Sequence, residues 1–201
     1  MALAHSNITV ELKEIFLNNR PQELYDISSK GTVPVLCIND SNVIDESLDI
    51  MIWALRQDDP ECWFTDNQKI QLDMVKENDS EFKYWLDRYK YYDRYPENDQ
   101  TYYRNKCGEY LSKLNILLEG ENQYILCDHR SLVDVAVFPF IRQCANVDLN
   151  WLDTSYPHLS NWLNHFIEAT LFSSVMDKYH EYQKSQQPLI ISFHEQQTIT
   201  S

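Results

Sequence analysis

The segment that decides the fold is Lys30-Gly31-Thr32-Val33-Pro34-Val35-Leu36, with Asp45-Glu46-Ser47 a short distance downstream. Proline has no backbone N–H, so Pro34 at the start of an apolar strand requires an edge strand or a sharp turn into the strand. Only about 5–6% of X–Pro bonds are cis by default. The residues alone therefore favour an ordinary trans bond between Val33 and Pro34.

A hairpin and a helix are predicted directly after this segment. Residues 33–44 predict two short strands joined by a turn at 39–42, where Asn, Asp and Ser supply turn chemistry. Ser47 can cap a helix that ends at Gln57, and Glu46 lies at the positive end of its dipole. Exposed N–H groups at that end also suit a small anionic ligand. A plain helix cap is the alternative interpretation.

The rest of the chain is almost entirely helical in its pattern. Long helices are expected over 67–94 and 97–119, and a buried apolar helix over 131–143. Ser131 and Asp134 form an S-x-x-D capping pair at the start of that buried helix, each accepting from the other's backbone N–H. Because buried groups without partners would cost about 1–3 kcal/mol each, we interpret this pair as structural.

Weaker patterns flank these elements. They predict a ragged strand over 8–17, an amphipathic helix over 157–169, a last short helix over 172–179 and a strand-like segment at 189–193 packed on the body. The expected architecture is therefore a small α/β part followed by an all-α part.

Composition excludes several classes of function. The only glycines are Gly31, Gly108 and Gly120, so neither a P-loop nor a dinucleotide-binding turn can be written. Net charge is −14, with 17 basic against 31 acidic residues, which argues against nucleic-acid and membrane partners. No apolar stretch is long enough to span a bilayer, and Met1 is not followed by a signal-peptide pattern.

The five cysteines show no C-x-x-C spacing. We expect reduced, mostly buried thiols, and no metal site. Cys127-Asp128-His129 is expected in a loop, where the three residues are interpreted as chance neighbours.

Taken in order, these segments resemble the glutathione S-transferases. In that family a thioredoxin-like domain carries [KR]-G-x-V-P-x-L, a hairpin and an E-S pair at a helix start, and an all-helical domain follows with an S-x-x-D capped core helix. The run 156–163, YPHLSNWL, also resembles the family's penultimate region. The resemblance covers nearly the whole chain, and it rests on the order of these motifs more than on any one of them. It implies a truncated thioredoxin-like, glutathione-binding domain over 1–57, an all-helical domain over 64–180 and a tail over 181–201.

The resemblance implies glutathione as co-substrate and assigns residues to it. Val33 would offer its backbone N–H and C=O to the cysteinyl part, with Pro34 in a cis bond. Glu46 would take the γ-glutamyl ammonium, while Ser47 and the helix N-terminus take the carboxylate. A small electrophilic second substrate, a homodimer, a cytoplasmic location and the lack of a metal cofactor are further implications.

Apolar residues drift along one face of the first long helix: Ile70, Met74, Phe82, Trp85, Tyr89 and Tyr92. By resemblance, Trp85, Tyr89 and Tyr92 would line the cleft for the second, apolar substrate, and this helix would form part of the dimer seam. Ordinary packing in the core and at its rim is the alternative.

The sequence departs from the family's pattern at its start. The family's first strand and first helical turns, which carry the Tyr, Ser or Cys acting on the glutathione sulfur, have no counterpart, a difference of about 15–20 residues by ordinary element lengths. Three interpretations stay open: a start site upstream of Met1, a shortened and catalytically disabled form, or replacement of the strand by a segment such as 189–193. No catalytic residue is assigned. Ser6 follows the helix, Cys37 lies in a strand, and His5 is expected to be exposed.

Two classes of function remain. The first is a glutathione S-transferase-like protein that, in a full-length form, activates the thiol of glutathione for attack on an electrophile or mixed disulfide. The second is a non-catalytic binding or interaction protein on the same fold. An in-frame upstream extension encoding an apolar strand and a Cys, Ser or Tyr near a Pro would favour the first class, and an immediate upstream stop codon the second.

Overall fold

The computed structural model describes residues 1–39, 41–120, 122–184 and 186–193. The chain divides into two compact units. Unit 1 comprises Met1–Pro60 together with the described residues from Thr170 onward, and unit 2 comprises Glu61–Ala169. The sequence analysis extended the helical domain to residue 180, whereas the structure groups the residues after Ala169 with unit 1 because that is where their contacts lie.

The first part of the chain alternates short helices and strands: α1 (Ala2–His5), β1 (Val10–Leu12), α2 (Gln22–Ile27), β2 (Leu36–Asn39), β3 (Asn42–Ile44) and α3 (Ser47–Gln57). Helices then follow one another: α4 (Gln68–Glu77), a π-helical turn (Asn78–Phe82), α5 (Lys83–Lys90), a 3-10 turn (Tyr92–Arg94), α6 (Gln100–Leu117), α7 (Leu132–Ala145), α8 (Leu149–Ser155), α9 (Pro157–Glu168) and α10 (Thr170–Ser173). The last strand is β4 (Leu189–Ile191). This is a thioredoxin-like part with few strands plus a helical part. No helix in the described ranges has the length and apolarity needed to cross a bilayer.

The predicted hairpin is present in unit 1. β2 and β3 pair antiparallel, with Leu36 opposite Ile44 and Cys37 opposite Val43. The register is irregular between Cys37 and Asn39, next to the turn. Asp40, at the centre of the predicted turn, lies outside the described residues.

The predicted tail strand is also present, and β1 is its partner. β4 pairs antiparallel with β1 in the register Val10–Ile191 to Leu12–Leu189. Just beyond this ladder, the hydroxyls of Thr9 and Ser192 are 3.0 Å apart. The described strands form two separate two-stranded sheets, so β4 does not join β1 to the hairpin. The strand expected over 8–17 is shorter than predicted because β4 supplies partners only for Val10–Leu12.

The start of the chain packs against α3. Ala2 and Ala4 are buried, and α1 contacts α3. The expectation that His5 is exposed is wrong: it is 8% exposed, and its Nε2 lies 3.2 Å from Oδ1 of Asp59. The end of α1 faces α3 and the residues after it, so the imidazole has a carboxylate partner inside unit 1 instead of water.

The first long helix of unit 2 is interrupted by the π-helical turn. Its buried face is formed by Gln71, Val75, Asn78, Phe82, Leu86 and Tyr89. Ile70, predicted on the buried face, is 51% exposed. A π-turn adds a residue to the helical repeat and rotates everything after it, so one regular helical period does not describe residues 68–90.

The capping pair of α7 is confirmed and has further partners. Ser131 and Asp134 form both bonds of a capping box. The Asp134 carboxylate, 0% exposed, accepts from Ser131 N (3.0 Å), Ser131 Oγ (2.5 Å), Ile125 N (2.9 Å) and Trp162 Nε1 (3.0 Å). Burial raises the pKa of Asp134, and these four bonds oppose that rise.

The next two N–H groups of α7 find partners elsewhere in unit 2. Leu132 N donates to Trp63 O (2.9 Å), and Val133 N donates to Oε1 of Gln71 (3.3 Å). The amide of Gln71 in turn donates to Trp63 O (3.1 Å). Since the first N–H groups of a helix lack partners within it, these bonds allow the start of α7 to be buried.

Candidate functional site

The segment before β2 is accessible and sharply turned. The bond between Val33 and Pro34 is cis, as the family resemblance implies, rather than trans as the residues alone favour. The Val33 residue is 44% exposed, and Pro34 is exposed as well. The backbone of the segment is therefore not covered by the core of unit 1.

A glycine is required just ahead of this segment. Gly31 has φ +59°, a left-handed conformation, and its N–H donates to Ser28 O (3.0 Å). A Cβ added at Gly31 would lie 2.2 Å from the Tyr25 ring of α2. The close approach of this ring fixes the path of the chain from α2 into the segment before β2.

The Glu46–Ser47 pair lies at the start of α3, with both residues exposed. The sequence analysis placed Ser47 at the N-cap, but the structure places Glu46 there and makes Ser47 the first helical residue. The first backbone bond of this end runs from Ile50 N to Glu46 O (3.0 Å). The N–H groups of the preceding first turn have no partner within the helix, so this end can take an acceptor group.

Lys30 explains why Glu46 does not use its side chain as a helix cap. Its Nζ donates to Oε1 of Glu46 and also lies 3.4 Å from Oδ1 of Asp45. The other Asp45 oxygen accepts from Ser28 Oγ (3.2 Å). The hydrogen bond with Glu46 raises the pKa of Lys30, which stays protonated at neutral pH. Two carboxylates and one ammonium thus meet beside the positive end of α3.

The role of Lys30 was missed by the sequence analysis, although the residue was part of the decisive segment. The sequence signal for this ion pair was a single basic residue just before Gly31, together with the acidic Asp45 and Glu46 after the hairpin. Pairing across the hairpin depends on tertiary structure and not on local spacing.

Neither residue considered as a substitute for the sulfur-activating group gains support. Ser6 is 5% exposed, and its buried Oγ has no hydrogen-bond partner among the described residues. Cys37 is an exposed residue of β2. We retain no catalytic assignment for either.

The three aromatic residues predicted for the second-substrate cleft have different surroundings within unit 2. Trp85 is half-buried, with its ring 4.7 Å from that of Tyr84. Tyr92 is 45% exposed in the 3-10 turn. Tyr89 is 2% exposed and packs edge-on against Trp151, with ring centroids 6.0 Å apart.

A surface cavity of about 90 Å³ lies beside Tyr89, with Arg104 and Asp148 in its lining. Burial raises the pKa of Tyr89 to about 12, so its hydroxyl is protonated at neutral pH. The guanidinium of Arg104 lies 3.6 Å from the Asp148 carboxylate, which leaves the cavity without a free charge of either sign.

Two family models match the chain. They are described as the glutathione S-transferase N-terminal domain, over residues 1–57, and the glutathione S-transferase C-terminal domain, over residues 76–169. The protein belongs to the glutathione S-transferase family. No curated protein matches this family member by sequence.

Solved structures share the fold of this glutathione S-transferase family protein. A bacterial transferase, BphK, solved as a ternary complex, is 17% identical with a TM-score of 0.71, covering 86% of this chain and 88% of its own. The transferase URE2P6 from Phanerochaete chrysosporium, in complex with oxidised glutathione, is 16% identical with a TM-score of 0.74, covering 87% and 86%. A family member from Pseudomonas fluorescens with two glutathione bound is 15% identical with a TM-score of 0.73, covering 86% and 83%. At these identities the likeness shows the fold.

Proposed function

We propose that this glutathione S-transferase family protein binds glutathione along the Val33–Pro34 segment and at the start of α3. The observation that carries the proposal is the meeting of Lys30, Asp45 and Glu46 beside an exposed helix N-terminus. Oxidised glutathione bound to URE2P6 and glutathione bound to the Pseudomonas fluorescens family member support the choice of ligand.

The γ-glutamyl end of glutathione matches the charges at this place. It carries an ammonium and a carboxylate on one carbon atom. The carboxylates of Glu46 and Asp45 suit the ammonium, while the Ser47 hydroxyl and the first N–H groups of α3 suit the carboxylate. The exposed backbone at Val33 is suited to strand-like hydrogen bonds with the cysteinyl part.

In the transferase function that we propose, the glutathione thiolate attacks a small electrophile or a mixed disulfide. The residues assigned here bind and orient glutathione. No residue of this chain is assigned to activation of the sulfur, and no metal is assigned a role. A cytoplasmic location and a homodimer, with Trp85, Tyr89 and Tyr92 near the second substrate or the dimer seam, complete the proposal.

Isothermal titration with glutathione tests binding directly. Glu46→Gln should weaken binding by about tenfold, because a hydrogen bond to a charged group is worth about 1.5–3 kcal/mol and this carboxylate is largely exposed. Ser47→Ala should weaken it in the same direction. The matched control is Glu23→Gln, since Glu23 is another exposed carboxylate of unit 1 paired with a lysine, Lys184, at 3.1 Å. Its affinity should equal that of the wild type.

A ligand variant sharpens the assignment of Glu46. Glutathione acetylated on its α-amino group lacks the ammonium, so it should bind the wild type weakly and be insensitive to Glu46→Gln. No heat from millimolar glutathione with folded protein, or equal losses in the Glu46 and Glu23 variants, would remove these residues from the site.

Binding and catalysis are separate measurements. Turnover of glutathione with an activated aryl chloride or a mixed disulfide supports the transferase function. Tight binding without turnover of either substrate supports the alternative of a non-catalytic binding protein on this fold.

A further inference from the structure

A second chemically active arrangement lies in unit 2, in the connection between α6 and α7. The Cys127 sulfur is 3.7 Å from Nε2 of His129 and 3.1 Å from the His129 carbonyl oxygen. Nδ1 of the same imidazole lies 3.2 Å from Oδ1 of Asp128. The sequence analysis interpreted these residues as chance neighbours, but the folded loop gives them an order: sulfur, imidazole, carboxylate.

This order is the one that activates a nucleophile. One imidazole nitrogen faces the thiol while the other faces a carboxylate, which orients the ring with Nε2 toward the sulfur. The thiolate is the reactive form of cysteine, so a base placed to take the thiol proton favours reaction. The thiol donates to the His129 carbonyl oxygen, and Nε2 of the same residue is the base that lies near the sulfur.

Exposure limits the size of the effect and permits access. The side chains of His129 and Asp128 are 45% and 91% exposed, so water and salt screen their charges. Cys127 is half-buried, whereas Cys107 and Cys144 are enclosed in the core. The three side chains do not form a metal site, because no group of at least three His, Cys, Asp or Glu residues in the described ranges is placed to hold an ion.

The other cysteines provide internal comparisons. Cys107 and Cys144 are 0% exposed, and their mutual hydrogen bond together with burial raises the pKa of the Cys144 thiol. Cys37 and Cys62 are exposed, and within the described residues neither has a histidine at hydrogen-bonding distance. Accessibility and an imidazole partner therefore coincide at Cys127 alone among the described cysteines.

We propose that Cys127 is a reactive thiol that exchanges with small disulfides, of which oxidised glutathione is the probe. The Cys127 thiolate attacks one sulfur of the disulfide. A bond forms between the two sulfur atoms, the original disulfide bond breaks, and the other half leaves as a thiolate. His129 accepts the proton that Cys127 loses and passes it to solvent or to the departing thiolate. This reaction goes beyond the proposed function, because the site lies in unit 2 and uses none of the residues assigned to glutathione binding.

The experiment follows modification of each cysteine by oxidised glutathione, using intact mass and peptide mapping over time. At neutral pH, Cys127 should react at least about fivefold faster than Cys37 and Cys62. His129→Ala should slow Cys127 by about threefold or more, because the thiol loses the imidazole that takes its proton. The matched control is His158→Ala, which removes another exposed histidine of unit 2 and should leave the rate unchanged.

Glu46→Gln separates this proposal from the first one, since it should leave the rate at Cys127 unchanged while weakening glutathione binding. Three results would overturn the proposal: equal rates at Cys127, Cys37 and Cys62; an unchanged rate in His129→Ala; or the same advantage of Cys127 in the urea-unfolded chain, where the loop geometry is lost.

Discussion

Replacement of Asp134 is the sharpest test of how the helical unit is held together. Its carboxylate accepts from three buried N–H groups, those of Ile125, Ser131 and the Trp162 indole, and from the Ser131 hydroxyl. An unsatisfied buried donor costs about 1–3 kcal/mol. In Asp134→Ala all three N–H groups and the Ser131 hydroxyl lose their acceptor, so the unfolding free energy should fall by at least about 4 kcal/mol, a large part of the roughly 5–15 kcal/mol of a typical domain.

Asp134→Asn provides a graded version that is expected to fold. The amide oxygen can still accept from Ile125 and Trp162, and Ser131 Oγ can rotate to accept from the new NH₂ group. The Ser131 N–H alone then faces another donor, so the loss should be about 1–3 kcal/mol. The matched control is Asp99→Asn at the exposed N-cap of α6, where the carboxylate accepts from Tyr102 N at 2.7 Å. Asn caps nearly as well as Asp, and water reaches this site, so the control should change stability by less than about 0.5 kcal/mol.

Urea denaturation, followed by far-ultraviolet circular dichroism and tryptophan fluorescence, measures these changes. The expected order of stability is Asp99→Asn, then Asp134→Asn, then Asp134→Ala. An Asp134→Asn variant as stable as the Asp99→Asn control would show that the buried hydrogen bonds do not contribute the stability assigned to them.

Two further predictions concern the candidate site. Gly31→Ala should lower the free energy of unfolding by about 1–2 kcal/mol for the left-handed backbone, plus a further cost for displacing the Tyr25 ring. In a Tyr25→Ala background only the backbone cost should remain. Equal costs in both backgrounds would argue against the ring contact. Glu46→Gln should lower the pKa of Lys30 in an NMR titration of its ε-methylene group. Because the folded pKa of Lys30 is raised, the pair stabilises the fold at neutral pH and loses that effect as pH rises through the folded pKa, so the stability difference between variant and wild type should shrink in alkali.

The parts of the fold predicted from sequence are those decided by neighbours along the chain. The bounds of α3 follow from the polar residues before it and the Asp58-Asp59-Pro60 stop, and the structure has the helix at Ser47–Gln57. The capping box at Ser131 and Asp134 follows from spacing alone. Their partners Ile125 and Trp162 do not, because such bonds depend on how separate helices pack.

Buried polar residues explain the main error in the sequence prediction for unit 2. A search for an apolar stripe selected Ile70, which is exposed, whereas Gln71 and Asn78 lie on the buried face. Gln71 is buried because its amide serves the start of α7 and the Trp63 carbonyl. Hydrophobic periodicity has no means of identifying a polar side chain whose partners are distant in sequence.

The candidate site divides in the same way. The order of the motifs identified Val33, Pro34, Glu46 and Ser47. The cis bond was implied by the family resemblance and not by residue statistics. The ion pair of Lys30 with Glu46 required the structure, since it crosses the hairpin.

The pairing of β1 with β4 has a consequence for synthesis of the chain. Residues 61–169 are contiguous, so unit 2 has all of its contacts available once this stretch has left the ribosome. β1 emerges early but must wait for Leu189–Ile191, among the last described residues to be made. Until Leu189–Ile191 are made, β1 lacks the strand that it pairs with in the folded protein, and an unpaired strand edge can pair with strands of other polypeptides.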